Sequence, residues 1–527
     1  MKQLSQQDIQ RLMMMHQQGQ HDSVIEVAEK LIIDFPKEFI LFNILGVSYE
    51  KKGDLEKASI AYKKALKINP SIPELQFNLG AILYAQNQYQ ESIKYYQKAI
   101  SLKADFVEAY FNLGITYQSL GEFVKATSAY EHALKMQPGF YEALTNLGTI
   151  KQLQGDLDDA IKCFQQSLAI FDDARGHYNL AGAFRNQGNL KLAIDHFKKA
   201  VEKGSNEPDF YSDLGDALWH DGQIKEANDF LRLAIHKNPQ HPRANYQLAI
   251  FLYDNEAYEE AIEHFKTSQL GDWQERVLYC LYKLKKFDVF DEQLKSAIEA
   301  RNLSPFLATL STHYAINFNK EDPYKFCPEP LRFVCHEKIP ELMADNGRLV
   351  HELLNDIKTA DISERKQSRL SYGVQSSGNL FKRKESSFIA LAEALKKMIK
   401  NYHQQFANEG CEFIQAFPKK IEFSSSWFVR MQKGGHLSSH IHEDGWISGA
   451  VYLSIPNSNK DSNEGAIELS TDGDGYPRMH DQFPTQTILP EVGDVIFFPS
   501  SVFHRTIPFN SDAERVCIAF DLKPESR

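Results

Sequence analysis

The chain has 527 residues, 43% hydrophobic and 24% charged, with a formal net charge of −11. That length exceeds what one core can organise, so at least two domains are expected, and the composition is that of a globular protein rather than a disordered one. The acidic balance argues against nucleic acid as the main partner, and the absence of any apolar run long enough to span a bilayer argues against a membrane helix.

The N-terminal stretch Met1-Lys2-Gln3-Leu4-Ser5-Gln6-Gln7 has no apolar core of the signal-peptide kind, so none is expected. Cys163, Cys280, Cys327, Cys335, Cys411 and Cys517 are scattered and form no Cys-x-x-Cys. They read as free thiols in a reducing cytoplasm.

The first half of the chain repeats. Leu-Gly or Leu-Ala pairs fall at Leu45-Gly46, Leu79-Gly80, Leu113-Gly114, Leu147-Gly148, Leu180-Ala181, Leu214-Gly215 and Leu248-Ala249, in steps of 34, 34, 34, 33, 34 and 34. A fixed period of this size marks a stacked array. Within the first clear unit Gly46, Tyr49, Ala58, Tyr62 and Ala65 alternate small and large, as two helices packed closely on each other require. Gly53-Asp54-Leu55 and Gly155-Asp156-Leu157 mark turns between helices, and Pro36, Pro70 and Pro138 mark the ends of second helices. The pattern resembles the tetratricopeptide repeat, which implies an all-α superhelix. Seven repeats are expected over 39–275, after a degenerate helical repeat at 1–38 and before degenerate repeats and a linker at 276–324.

The residue before each pair is Ile44, then Asn78, Asn112, Asn146 and Asn179, then Asp213 and Gln247. Amides on the inner face of such an array offer both a donor and an acceptor to an extended peptide. The other reading is that these Asn residues belong to the repeat consensus and touch the neighbouring helix. In either case the array calls for a protein or peptide partner.

From about 325 the repeat is lost. Helices are expected over 339–357 and 387–407, with Ser371 to Phe381 a loop between them. After Pro418 short stretches rich in β-branched and aromatic residues take over, at 421–431, 447–454, 466–469, 495–498 and 515–522. Lys433-Gly434-Gly435, Asp472-Gly473-Asp474-Gly475 and Val492-Gly493-Asp494 read as the turns between them. Several short strands in this space suggest a double-sheet jelly roll over about 421–523.

Chemistry concentrates in the same region. His440 and His442 would share one face of an extended strand, and His504 follows Phe497-Phe498-Pro499 as a third candidate ligand from a neighbouring strand. Imidazoles so placed can bind one metal ion, and the two-His-one-carboxylate arrangement with open positions suits Fe(II) oxygenases. A buried Arg515 near the start of the last strand could hold a dicarboxylate in a bidentate pair. Tyr452 could donate its hydroxyl to that molecule or simply fill the interior.

These pieces occur together as His440-Ile441-His442, Ser448-Gly449-Ala450-Val451-Tyr452-Leu453, Gly493 to Ser500, His504 and Arg515, preceded by Gln375 to Phe381. The set resembles the bacterial and phage group of 2-oxoglutarate- and Fe(II)-dependent oxygenases with a His-x-His motif, over roughly 325–527. The resemblance implies a multidomain chain: an all-α tetratricopeptide superhelix followed by an α+β domain built on a double-stranded β-helix. It also implies Fe(II) as cofactor, 2-oxoglutarate as cosubstrate and dioxygenase activity. Two ligand frames stay open. One uses His440, His442 and His504; the other uses His442-Glu443-Asp444 as a His-x-Asp and leaves His440 outside. The first is preferred because Gly445-Trp446 begins the turn.

The resulting expectation is a cytoplasmic hydroxylase acting on a protein or peptide recruited by the array. The alternatives are an inactive jelly-roll scaffold and a small-molecule hydroxylase. Substrate identity and oligomeric state carry no signal in the sequence.

Overall fold

The computed structural model describes residues 4–204, 206–300, 303–360, 362, 364–365, 369–376, 379–443, 445–456 and 463–523. Its contacts divide the chain into two compact units, Met1–Phe251 and Leu252–Arg527.

The first unit is a run of antiparallel helix pairs. After Gln6–Gln17 and His21–Asp34 come Phe39–Lys51 with Leu55–Ile68, Pro73–Ala85 with Tyr89–Leu102, and Val107–Ser119 with Phe123–Met136. Tyr141–Gln154 with Leu157–Ile170, Ala174–Gln187 with Leu190–Glu202, and Pro208–His220 with Ile224–Lys237 complete the series, and Pro242–Asp254 runs across the division. The small residue of each Leu-Gly pair explains the repeat. A Cβ on Gly46, Gly80, Gly114 or Gly148 would lie 2.6–2.8 Å from the ring of Tyr62, Tyr96, Tyr130 or Phe164 on the partner helix. The absence of a Cβ at these four glycines lets the two helices approach with an aromatic between them. The turns follow local rules: Gly155 takes φ +87°, a left-handed conformation, and Asp54 accepts from the Lys57 amide at 3.1 Å to cap the next helix.

The second unit begins with the helices Tyr258–Ser268, Trp273–Lys283, Phe287–Glu299 and Pro305–Asn317, and then becomes strand-rich. Its strands are β1 (Cys335–Lys338), β2 (Glu364–Arg365), β3 (Leu370–Ser376), β4 (Phe423–Leu437) and β5 (Ile447–Ser454), followed by β6 (Ile467–Ser470), β7 (Thr485–Ile488), β8 (Asp494–Pro499), β9 (Phe503–Thr506) and β10 (Arg515–Leu522). A seven-stranded sheet runs β1-β8-β5-β10-β4-β3-β2, and a three-stranded sheet runs β7-β6-β9. Ile467, Leu469 and Ile488 of the small sheet share one apolar cluster with Val429, Met431, Tyr452, Ile496, Phe498 and Cys517 of the large one. The two sheets therefore bury their facing sides against each other.

The helix Pro305–Asn317 is buried along nearly its whole length and is hydrogen-bonded into the strand-rich part. Thr309 donates to the Ser501 carbonyl at 2.8 Å, His313 meets Asp472 at 3.0 Å, and Asn317 donates to the Pro477 carbonyl at 2.8 Å.

Three local expectations are corrected. Ser371 to Ser376, polar and Gly-containing in sequence, is not loop but part of β3, whose register shifts between Ser371 and Gly373, where Tyr372 has φ +50°. The helix expected over 339–357 is broken: Pro340–Met343 stops at Asp345, Asn346 and Gly347, all at positive φ, and the chain restarts as Arg348–Thr359. Lys433-Gly434-Gly435 is not a turn between strands. β4 runs through it, with Gly434 at φ +79° and its amide bonded to the Phe509 carbonyl at 2.8 Å.

Candidate metal centre

His440 and His504 face each other across an isolated antiparallel bridge, exchanging backbone hydrogen bonds of 3.2 and 3.0 Å. His442 is fixed just beyond, where its amide donates to the Ser500 carbonyl at 3.3 Å. These constraints bring the three imidazoles together. One ring nitrogen from each of His440, His442 and His504 lies within 4.8 Å of the others. Asp444, the acid of the second ligand frame, lies outside the described residues.

Each imidazole is held through Nδ1. His440 Nδ1–H donates to the Ser438 carbonyl at 2.9 Å, and His504 Nδ1–H to the Val502 carbonyl at 3.4 Å. His442 Nδ1 pairs with the Asp521 carboxylate and lies 3.0 Å from the Ser448 hydroxyl. A ring that donates from Nδ1 carries its lone pair on Nε2, the state a ligand needs. Burial, aided by the His442 imidazole, holds His440 down at about 3, and burial with its two neighbours holds His504 well below the usual range. Burial opposes ionisation of Asp521, but His442 and the Ser448 and Ser425 hydroxyls outweigh it and lower its pKa. An all-imidazole donor set of this kind suits iron, zinc, copper or nickel.

The cluster opens on a cavity of about 620 Å³ whose lining includes Trp427, Met431, Leu437, Tyr452 and Arg515. Arg515 is 2% exposed. Its Nε donates to the Gly465 carbonyl at 3.1 Å and its guanidinium lies 5.1 Å from the Tyr452 ring centre, but no carboxylate pairs with it among the described residues. The Tyr452 hydroxyl is buried and has no hydrogen-bond partner there either. A buried cation without a counter-ion and a buried hydroxyl without a partner are both costly. Side by side in one cavity, they are the donor set that an anionic carboxylate ligand would satisfy.

Two contributors have no counterpart in the sequence motifs. Asp521 comes from the far end of β10. Arg276, on the helix Trp273–Lys283, pairs with Glu443 next to His442, is held by Asp272 at 3.0 Å, and lines the cavity. Burial raises the pKa of Glu443 and Arg276 works against that rise. Arg276→Gln should leave this carboxylate without its cation, costing about 1–3 kcal/mol locally. The expected readout is faster amide exchange in the His440–Gly445 segment, and unchanged exchange there would count against a clamping role.

In the repeat array Asn78, Asn112, Asn146 and Asn179 are each half-buried. Asn146 donates to the Tyr130 hydroxyl at 3.3 Å, a contact of the packing kind. Trp446, close in sequence to the His pair, is buried with its indole N–H on the Phe413 carbonyl, and so braces the fold away from the cavity.

A helical repeat array followed by a two-sheet unit with a three-histidine cluster defines the class. Comparison with known families gives its two parts. Residues 425–521 match a family described as "Putative 2OG-Fe(II) oxygenase". Tetratricopeptide repeat families match 46–87, 80–121, 107–140, 140–203, 176–241 and 218–272. The chain thus carries tetratricopeptide repeats across 46–272 and a putative 2OG-Fe(II) oxygenase domain at 425–521. An uncharacterized protein of Haemophilus influenzae (strain ATCC 51907 / DSM 11121 / KW20 / Rd) is 23% identical over 143 residues, covering 25% of this chain and 80% of that protein. Among solved structures, MamA shares 29% identity over 30% of this chain and 91% of its own, with a TM-score of 0.29. YrrB, described as a TPR protein with an unusual peptide-binding site, shares 22% identity over 36% of this chain and 97% of its own, with a TM-score of 0.30.

Proposed function

We propose that the chain is an Fe(II)- and 2-oxoglutarate-dependent dioxygenase that hydroxylates a protein or peptide recruited by its repeat array. The observation that carries this reading is one cavity lined by three gathered imidazoles and by a buried guanidinium that, among the described residues, has no carboxylate partner. The two facing sheets support a double-stranded β-helix, placed within an oxygenase domain from about 325 onward that follows repeats over 39–275.

In this proposal His440, His442 and His504 hold the iron through Nε2, and Ser438, Asp521 and Val502 fix the rings through Nδ1. Arg515 binds the far carboxylate of 2-oxoglutarate, and the Tyr452 hydroxyl donates to it. Val429, Met431 and Leu437 exclude water from the reacting end of the cavity. When bound, iron with 2-oxoglutarate and dioxygen supplies an oxidant for an unactivated C–H bond, converting it to C–OH while 2-oxoglutarate leaves as succinate and carbon dioxide. The Asn78, Asn112, Asn146 and Asn179 series is proposed to hold the peptide backbone. Six free thiols support a cytoplasmic location, and no described helix is long and apolar enough to cross a membrane.

The test needs no substrate. The full chain under anaerobic conditions should develop the visible charge-transfer band of an Fe(II)–2-oxoglutarate complex, and in air should form succinate slowly with iron present. His440→Ala and His504→Ala should abolish both. A wild-type chain giving neither band nor succinate would sink the proposal.

A further inference from the structure

The three gathered ligands are all imidazoles, and no carboxylate joins them among the described residues. An Fe(II) centre of the two-His-one-carboxylate kind carries one negative charge from its acid. Among the described residues the acid bonded to one of these ligands is Asp521, which meets His442 at Nδ1.

Asp521 is placed for that contact from both sides. In the large sheet it sits opposite Ser425 on β4 and Ser448 on β5. The Ser448 hydroxyl donates to Oδ1 at 2.7 Å and the Ser425 hydroxyl to Oδ2 at 2.8 Å. Ser500 backs Ser448 at 2.8 Å. The side chain is only 13% exposed, and no Lys or Arg pairs with it among the described residues. Among the described residues the group of potential positive charge that it meets is the imidazole of His442. Two serines orient the carboxylate, and among the described residues no Lys or Arg competes for it.

We propose that Asp521 is the acidic member of this centre, acting through His442 rather than by binding the metal. This inference rests on the metal site proposed above. A carboxylate hydrogen-bonded to Nδ1 raises the basicity of Nε2 and locks the ring. Three neutral imidazoles with one such partner give the centre the same net charge as two imidazoles with a bound carboxylate. Asp521 is thus a positioning residue, and the histidine count does not mean that the centre lacks an acid.

Co(II) serves as the probe, because its visible spectrum reports its ligands. Wild-type full chain should bind one ion, with loss in His440→Ala. Asp521→Asn keeps an acceptor oxygen and the side-chain shape but removes the charge. It should weaken Co(II) binding about 10–100-fold and shift the visible bands, with the metal-free melting temperature changed little. A purely structural role would leave affinity and spectrum as in wild type, and that result overturns the inference while leaving the metal site standing. Wild-type protein that binds no Co(II) overturns both. Should Asp521→Asn fail to fold, the Zn(II)-loaded wild type decides. The His442 Nδ1–H should appear in nitrogen-resolved NMR as a strongly downfield proton bonded to a carboxylate, and its absence there refutes the assignment.

Discussion

Replacing Arg515 with Met is expected to weaken 2-oxoglutarate binding about 100-fold or more, while the chain still folds and still binds its metal ion. Arg515 is buried, spends Nε on the Gly465 carbonyl and has no acid partner among the described residues. Truncating one side of a buried charge pair costs about 2–5 kcal/mol, and the middle of that range weakens 2-oxoglutarate about 100-fold or more. The metal-free, ligand-free protein should respond in the opposite direction. Even a paired buried charge is often replaced by apolar side chains with a gain of about 1–4 kcal/mol, so removing an uncompensated one should raise stability, less about 1 kcal/mol for the lost bond to Gly465. Calorimetric titration with 2-oxoglutarate and a melting curve without it check both signs. A variant that binds 2-oxoglutarate normally would remove Arg515 from the site, and one that melts far below wild type would show the guanidinium to be structural.

Phe164→Ala should cost about 3–5 kcal/mol of array stability, the usual range for a buried aromatic removed from a packed core. Phe164 is 1% exposed and fills the space that Gly148 leaves by having no Cβ. Phe164 lies between the helices Tyr141–Gln154 and Leu157–Ile170, and the cost depends on how far they close on the space it leaves. In a repeat array each unit leans on its neighbours alone, so the damage should stay local. Amide exchange should accelerate in those two helices and in Ala174–Gln187, with little change in Phe39–Lys51. Uniform acceleration over all the repeats would show a more cooperative array than nearest-neighbour packing gives.

The repeat array was legible because its cause is local: the beat of Leu-Gly pairs is the beat of glycine against aromatic, Gly46 with Tyr62 through Gly148 with Phe164. The His cluster was legible for a different reason. His440 and His442 are two apart in sequence and His504 follows Phe497-Phe498-Pro499, so a meeting of the three could be anticipated, although His440 and His442 lie past the end of β4 rather than on a strand. What failed was pairing between distant, unremarkable segments. β1 is Cys335-His336-Glu337-Lys338, mostly exposed and polar, and it joins the large sheet only through β8. Nothing within four such residues announces a partner that far along the chain. The polar, Gly-containing run from Ser371 reads as a loop, although Leu370–Ser376 is a strand. Arg276 was invisible because helix periodicity says nothing about Glu443. Asp521 was missed although a signal existed: Arg515, Cys517, Ala519 and Asp521 alternate along one strand, and all four line the cavity.

That alternation makes β10 a ruler. The strand carries the proposed anchor for the cosubstrate at one end and the support of His442 at the other, separated by about 20 Å of extended chain. Its neighbours β4 and β5 hold it on both sides, so the spacing is not free to drift with side-chain motion. Deleting a single residue between Cys517 and Ala519 would turn either Arg515 or Asp521 to the opposite face. The two ends of the site can therefore vary in residue type, but the interval between them can change only in steps of two.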